Sequence, residues 1–504
     1  MENLEDATML TPRPYQLEDI EAGLKAKHGG VLIGNDLGTG KTLTAVEIVR
    51  RGFPDWPRVL VVAPLNTHGG WERHIKSQIP DAPIHIHPPG GRSTKEAKEW
   101  WTAMESGRPG WYIVGWEVMR GTPTREQSRE YKERVEQAKA AGLKPPPRPI
   151  YLHWGAFPSW DVTIFDEVHR AVNRKSTTAK TAKTIPSRFR MGLSGTPAGN
   201  KVEGYWSVID LLWPGYLPAF WKWVSDFCLT ERNAFSGRAI LGEKYPGVIT
   251  EHCIPTYIRR TTEEVNADLP GVIERKVVVP LLKGAQTKAY RELEKQAFVW
   301  LENMPLGTPL GIEHALRLRQ IAMGVPRIVE TGEKNELGFP KISVDFAEDT
   351  KSAKIDALKE ILEDLPKDEP VLIFSHSAVF TVPVVHQLNK AGYGPTVAFT
   401  GTTSPKGRQN ILKYFGKPGG PRIVVAGIQA IGEGTDGLQY VCNHEVWLSR
   451  HDNNMLNQQA ARRLDRPGQT KPVQRWVIES RHTIDQDVYE RTEDNTSRMQ
   501  RAYG

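Results

Sequence analysis

The chain is short of several things that would classify it at once. Cysteine is scarce: Cys228, Cys253 and Cys442 lie far apart in 504 residues and share no metal-ligand spacing. That argues against a disulfide framework and a thiolate metal site, and leaves buried, reduced thiols of a cytoplasmic protein as the expectation. No apolar run is long enough to span a bilayer. The opening MENLEDATML is acidic and lacks the apolar core of a secretory signal. Glycine (45) and proline (37) are plentiful but dispersed, so low complexity is not the message either.

What is present suggests a globular protein of more than one domain. At ~150 residues per domain, 504 residues correspond to roughly three. Hydrophobic content of 39% and charged content of 25% fit a soluble fold, and the net charge of +7 hints only weakly at a polyanionic partner. Local distribution says more. Between His169 and Val202 stand eight Lys or Arg residues and no Asp or Glu. A solvated face explains such a run unless its neighbours argue for phosphate.

Short β-branched runs alternate with helical periodicity in two blocks. The first holds GGVLIGN (29–35), RVLVVAP (58–64), WYIVGW (111–116), DVTIFDE (161–167) and MGLSGTP (191–197); the second, after residue 370, holds PVLIFSH, TVAFTG, RIVVAG, EVWLSR and VQRWVIE. Each block predicts a parallel sheet with helices on both faces, an α/β fold. Residues 201–345 are richer in helical pieces and aromatics and read as a helical insertion between the blocks. Trp206, Trp213, Trp221 and Trp223 recur there at helical spacing, which favours core packing over base stacking. Residues 121–149 read as a charged surface helix ending in a proline run, and 491–504 as a tail.

The chemistry begins at GNDLGTGKT, residues 34–42. A phosphate loop wants glycine five residues before the Gly-Lys pair, and this chain has Asn35 there. The rest fits: Gly38, Thr39 and Gly40 allow backbone N–H groups to turn inward, and the helix that follows offers its N-terminus to an anion. Lys41 is placed for the β and γ phosphates and Thr42 for Mg²⁺. DEVH adds the second half: Asp166 to hold the metal, Glu167 to orient and deprotonate water, and His169 to couple the site to its surroundings. An Asp-Glu pair at a strand end is by itself usually a solvated turn. In QQAARRLDRPGQ (458–469), Arg463 and Arg466 are three apart and, on a helix, share a face suited to a γ-phosphate.

As an ordered set these segments resemble superfamily 2 helicase-type motors, most closely the Swi/Snf family of double-stranded DNA translocases. The resemblance runs from about residue 10 to 480, and NDLGTGKT is similar to that family's DMGLGKT. It implies two RecA-like lobes, residues 1–200 and 346–490, that share ATP and Mg²⁺. RPYQ implies adenine reading by Gln16; SGTPAGN implies that Ser194 and Thr196 link hydrolysis to movement; GIQAIGEGTDG implies nucleotide contact by Asp436. VVAPLNTHGGWERHI, the region after Ser375, and TGTTSPKGRQNILKYF imply backbone contacts to double-stranded or branched DNA from Pro64, Trp71, Ser375, Thr400, Gly401 and Gly434. RRTTEEVNADLPG (259–271) matches a family stretch outside the general helicase motifs. Two departures stand out: VGWEV replaces a usual Thr-Tyr pair, and Asp436 stands where the family generally carries Asn. The size, with no nuclease or chromatin module, suggests a bacterial or phage setting, with a nuclear location if the chain is eukaryotic. A strand-separating helicase acting on forked or branched DNA and the motor subunit of a larger repair or restriction assembly are the enzymatic alternatives; a nucleotide-gated clamp with poor turnover is the non-enzymatic one, and the intact Lys41, Asp166, Glu167, Arg463 and Arg466 speak against it.

Overall fold

The computed structural model describes all residues except 1–8, 54, 90–93, 200, 234–236, 266–268, 296–297, 302–303, 308–310, 335–339, 433–434, 436, 491 and 493–504. The chain divides between residues 267 and 268 into two units.

The first unit is built on a seven-stranded parallel sheet. In chain order its strands are β1 (Gly30–Ile33), β2 (Arg58–Ala63), β3 (Ile84–Ile86), β4 (Gly110–Gly115), β5 (Trp160–Asp166) and β6 (Ser187–Leu193), with the short strand Tyr257–Ile258 last. In space they run β3-β4-β2-β5-β6-β1 and then Tyr257–Ile258. Alternate residues feed different cores: Leu60 and Val62 pack on one face, Val59 and Val61 on the other. A strand buried on both faces runs apolar without alternation, as VLVVA does after Arg58. Helices α1 (Pro14–Leu24) and α2 (Lys41–Gly52) belong to this unit.

The second unit repeats the design with a six-stranded parallel sheet. Its order is Val272–Val279, Val473–Ser480, His444–Trp447, Val371–Ser375, Ile423–Gly427 and Thr396–Phe399. Val371 and Ile373 face one core, Leu372 and Phe374 the other. Lys354 is 1% exposed, its charge met by Asp485 at 2.5 Å and by the carbonyl of Leu448 at 2.6 Å, so it ties the helix Ala353–Glu363 to the sheet. The two parallel-sheet lobes expected from the sequence are therefore present.

Residues 201–345 are built differently from the single helical insertion expected. The helices Gly204–Leu212, Phe220–Phe227, Ala285–Lys295 and Gly311–Met323 are there. Among the described residues two antiparallel hairpins lie between these helices and a third, Arg327–Lys334 with Pro340–Asp345, follows the last, and the segment is split between the units: Tyr257–Ile258 extends the first sheet and Val272–Val279 edges the second. Trp213 and Trp223 are buried and Trp206 packs edge-on against Phe220, as core residues should, whereas Trp221 is 52% exposed. The helix Arg125–Ala140 buries none of its side chains and is closed at its start by a Thr124–Gln127 capping box. Among the described residues no helix is long and apolar enough to cross a membrane.

Candidate nucleotide site

The loop between β1 and α2 is shaped by its glycines. Gly38 (φ 82°) and Gly40 (φ 75°) are left-handed, a conformation that costs a side-chain-bearing residue energy. Gly34 is needed for a different reason: a Cβ there would lie 2.5 Å from the Tyr257 ring. The Lys41 ammonium donates to the carbonyls of Asn35 and Asp36, each at 2.9 Å. Burial pulls its pKa below the ordinary value, opposed by the charges of Glu167, Asp166 and Asp36. Thr42 follows in the first turn of α2, partly exposed. The Thr39 hydroxyl is turned inward, donating to the Asp36 carbonyl at 2.8 Å, so that side chain serves the turn itself.

Gln16 is placed against the loop. Its amide nitrogen donates to the carbonyls of Thr39 (3.3 Å) and Gly40 (3.2 Å), and its oxygen accepts from the Arg13 N–H at 2.9 Å. At 3% exposure, with both ends of the amide engaged, it braces the loop. Tyr15 adds a second brace through its hydroxyl, 2.8 Å from the Thr39 carbonyl.

The acidic pair closes the site from β5. Asp166 accepts from the Trp71 indole N–H at 2.9 Å, and the Trp116 indole donates to its carbonyl at 2.8 Å. Burial and the neighbouring Glu167 charge push the Asp166 carboxyl up to about 6. Glu167 sits in a left-handed backbone conformation (φ 53°). Burial alone raises its pKa, but the His169 hydrogen bond, with the His169, Lys41 and Arg170 charges, brings it below the ordinary carboxylate value. His169 Nδ1 is 3.1 Å from Glu167 Oε2 and 3.1 Å from Ser194 Oγ. Ser194 Oγ accepts the Thr196 N–H at 3.1 Å, and the Ser194 N–H donates to the Ile33 carbonyl at the end of β1. The structure thus joins Glu167, His169, Ser194 and Thr196 in one hydrogen-bonded line beside the loop.

The donor set fits a hard divalent cation. Two adjacent carboxylates held in a desolvated site repel each other, and the Thr42 hydroxyl and Asp166 carboxylate are oxygen ligands of the kind Mg²⁺ takes alongside phosphates and water. Among the described residues no cluster of three or more His, Cys, Asp or Glu is spaced to hold a metal unaided.

Other expected site residues fall elsewhere. Trp71 is 1% exposed and committed to Asp166, so it orients the carboxylate and does not present its ring to DNA. Pro64 is buried. Ser375 is fully buried, its hydroxyl exchanging hydrogen bonds with Ser377. Thr400 is 5% exposed, and its carbonyl, like that of exposed Gly401, accepts from Arg408. Gly434 and Asp436 lie outside the described residues. Arg463 and Arg466 do not share a helical face, because the helix Asn454–Ala461 ends before them. Leu464 is drawn into the core, Pro467 disfavours helix at Arg466, and the Arg463 guanidinium donates to the carbonyls of Gly432 and Thr435 (2.6 Å).

Residues that carried no assigned role also matter here. Asp19, Trp116, Arg259, Arg260 and Thr262 all bond to the loop or the acidic pair. RRTT was visible as a segment, but nothing in its local sequence says what a strand extension more than 200 residues downstream will touch.

A glycine-shaped loop opening a helix on a parallel sheet, with a strand-end Asp-Glu pair beside its lysine, defines a phosphate-loop nucleotide-binding unit. Comparison with known proteins narrows this. The SNF2-related domain model matches residues 15–321, and the chain belongs to that family. The Zorya protein ZorD of Escherichia coli O139:H28 is 25% identical over 472 residues, covering 88% of this chain and 39% of its own length. The putative ATP-dependent helicase/translocase YwqA of Bacillus subtilis is 22% identical over 491 residues, covering 95% and 47%. Among solved structures, the Sulfolobus solfataricus SWI2/SNF2 ATPase core in complex with dsDNA aligns over 99% of both chains at 18% identity and a TM-score of 0.38. The chain spans less than half the length of these two curated relatives.

Proposed function

We propose that this chain is a DNA-dependent ATPase that couples ATP hydrolysis to movement along double-stranded DNA, remodelling DNA or DNA–protein complexes. The observation that carries the reading is the line Lys41, Asp166, Glu167, His169 and Ser194, gathered beside one phosphate-shaped loop. Lys41 exchanges its loop carbonyls for the β and γ phosphates of ATP. Thr42 and Asp166 hold Mg²⁺, which when bound neutralises charge on the transferring phosphoryl group. Glu167, kept ionised by His169 and Lys41, takes the proton of the attacking water. His169 and Ser194 pass a change at Glu167 to the ends of β6 and β1. Gln16 belongs to the nucleotide's surroundings, and for Arg463, Arg466 and Asp436 we keep the nucleotide roles that the resemblance implies.

Membership of the SNF2-related family, with a helicase/translocase and a DNA repair and recombination protein among the relatives, supports an ATP-driven motor on DNA, and duplex is the track we propose. Exposed Gly401 is proposed to meet backbone phosphates without reading sequence, with buried Ser375 and Thr400 shaping the loops behind it, so binding weakens steeply with salt. The test is ATP turnover with single-stranded, duplex and forked DNA. Duplex is expected to stimulate most, and Lys41→Ala or Glu167→Gln to lower turnover by about 100-fold or more with the melting temperature unchanged. Turnover at the wild-type rate in either variant contradicts the assignment.

A further inference from the structure

The loop departs from the general phosphate-loop template at Asn35, and the structure shows what stands in for the missing glycine. Asn35 is fully buried, and its amide donates to Asp19 at 2.6 Å. The next residue, Asp36, accepts from Arg259 at 2.8 Å and from the Thr262 N–H and hydroxyl at 3.0 and 3.4 Å. Backbone bonds run alongside: Gly34 N–H to Ile258 O at 2.7 Å, Asp36 N–H to Arg260 O at 2.9 Å, and the Arg259 guanidinium to Gly34 O. Arg260 completes the set by pairing with Asp19 at 2.9 Å. Residues 34–36 are therefore held along their length by residues 258–262, and the Asn35 and Asp36 carbonyls that receive Lys41 belong to that held segment.

We propose that Arg259 and Thr262 form a positioning clamp, acting through Asp36, that fixes the phosphate loop before the nucleotide arrives. The inference rests on the nucleotide-site reading above. Arg259 bonds the Gly34 carbonyl and the Asp36 carboxylate, and Thr262 bonds the Asp36 carboxylate through its N–H and hydroxyl. A glycine at position 35 would give the loop its shape through backbone freedom, which has to be surrendered on binding. Here Asn35 and Asp36 are ordered by side-chain bonds, so less conformational freedom remains to be lost when phosphate binds. Removing the clamp releases the loop, and the cost appears in nucleotide affinity, because Glu167, Asp166 and His169 keep their own supports.

The test uses the full chain with Asp36→Ala, Arg259→Ala, the double variant, Arg259→Lys and Thr262→Val. ATP KM and kcat are measured with saturating duplex DNA, alongside binding of a fluorescent ADP analogue and thermal melting. The clamp predicts that Asp36→Ala and Arg259→Ala each raise KM and the ADP-analogue Kd by about tenfold, with kcat within about threefold. The double variant should fall short of the sum of the two single effects, because the Arg259–Asp36 bond is lost in each, and Arg259→Lys should recover part of the loss. Thr262→Val, which removes one hydroxyl, should raise KM by a smaller factor and decides the matter if the charge variants do not fold. An unchanged KM in Thr262→Val and Arg259→Ala, with kcat reduced only in proportion to the folded fraction, overturns the clamp; so does an additive double variant. Lys41→Ala separates the two readings. If it binds the ADP analogue as the wild type does, the nucleotide site itself is wrong; if it does not, while Arg259→Ala does, only the clamp is wrong.

Discussion

At the scale of single residues, the site depends on side chains whose partners are remote in sequence. Trp71 shows the difficulty. The resemblance implied a DNA contact, yet a buried indole N–H needs an acceptor, and the one it finds is the Asp166 carboxylate 95 residues away. Lys41, Glu167 and His169 were legible because their spacing on a loop and a strand end is itself the signal. Gln16 and Thr39 were legible as positions but not in their bonding, since a side-chain amide or hydroxyl satisfies a loop carbonyl as readily as it does a ligand. Gly34 gives a residue-scale prediction. Gly34→Ala puts a Cβ within 2.5 Å of the Tyr257 ring, so overpacking is expected to cost about 1–3 kcal/mol and lower the melting temperature. Tyr257→Leu in the same chain should restore much of the loss. A Gly34→Ala protein that melts with the wild type contradicts this packing.

At the scale of elements, the sheets were the legible part. Continuous β-branched runs such as RVLVVA and VLIFS are what doubly covered parallel strands require, and they fall where expected. Ile84–Ile86 and Tyr257–Ile258 escaped notice because two or three residues carry no period, and VIERKVVV because an edge strand tolerates its charges. The end of the helix at Ala461 was hidden by good helix formers after it; tertiary bonds from Arg463 and burial of Leu464 override their propensity. The hairpin Cys228–Asn233/Gly237–Glu243 supplies a pH prediction. Burial raises the Glu243 carboxyl from 4.5 to about 7, offset in part by N–H donors from Gly247 and Val248. With its folded pKa above the unfolded one, its stability contribution is full below about pH 4.5 and is lost as pH rises through about 7. Glu243→Gln should flatten the fall in melting temperature across that window; an unaltered pH profile counts against it.

At the scale of the whole molecule, two parallel-sheet units each carry part of the expected motif set, and the family assignment covers residues 15–321. The division at residue 267 was not legible from composition, because the segment read as one insertion contributes strands to both sheets. In the proposed function, hydrolysis in the first unit drives travel on duplex DNA. The most direct measurement is displacement of a labelled third strand from a DNA triplex, with release of a duplex strand followed in the same reaction. The wild-type chain is expected to displace the third strand with ATP, leave the duplex paired and stop with a non-hydrolysable analogue, while Glu167→Gln displaces nothing. Displacement by Glu167→Gln at the wild-type rate, or release of the duplex strand in place of the third strand, would contradict it.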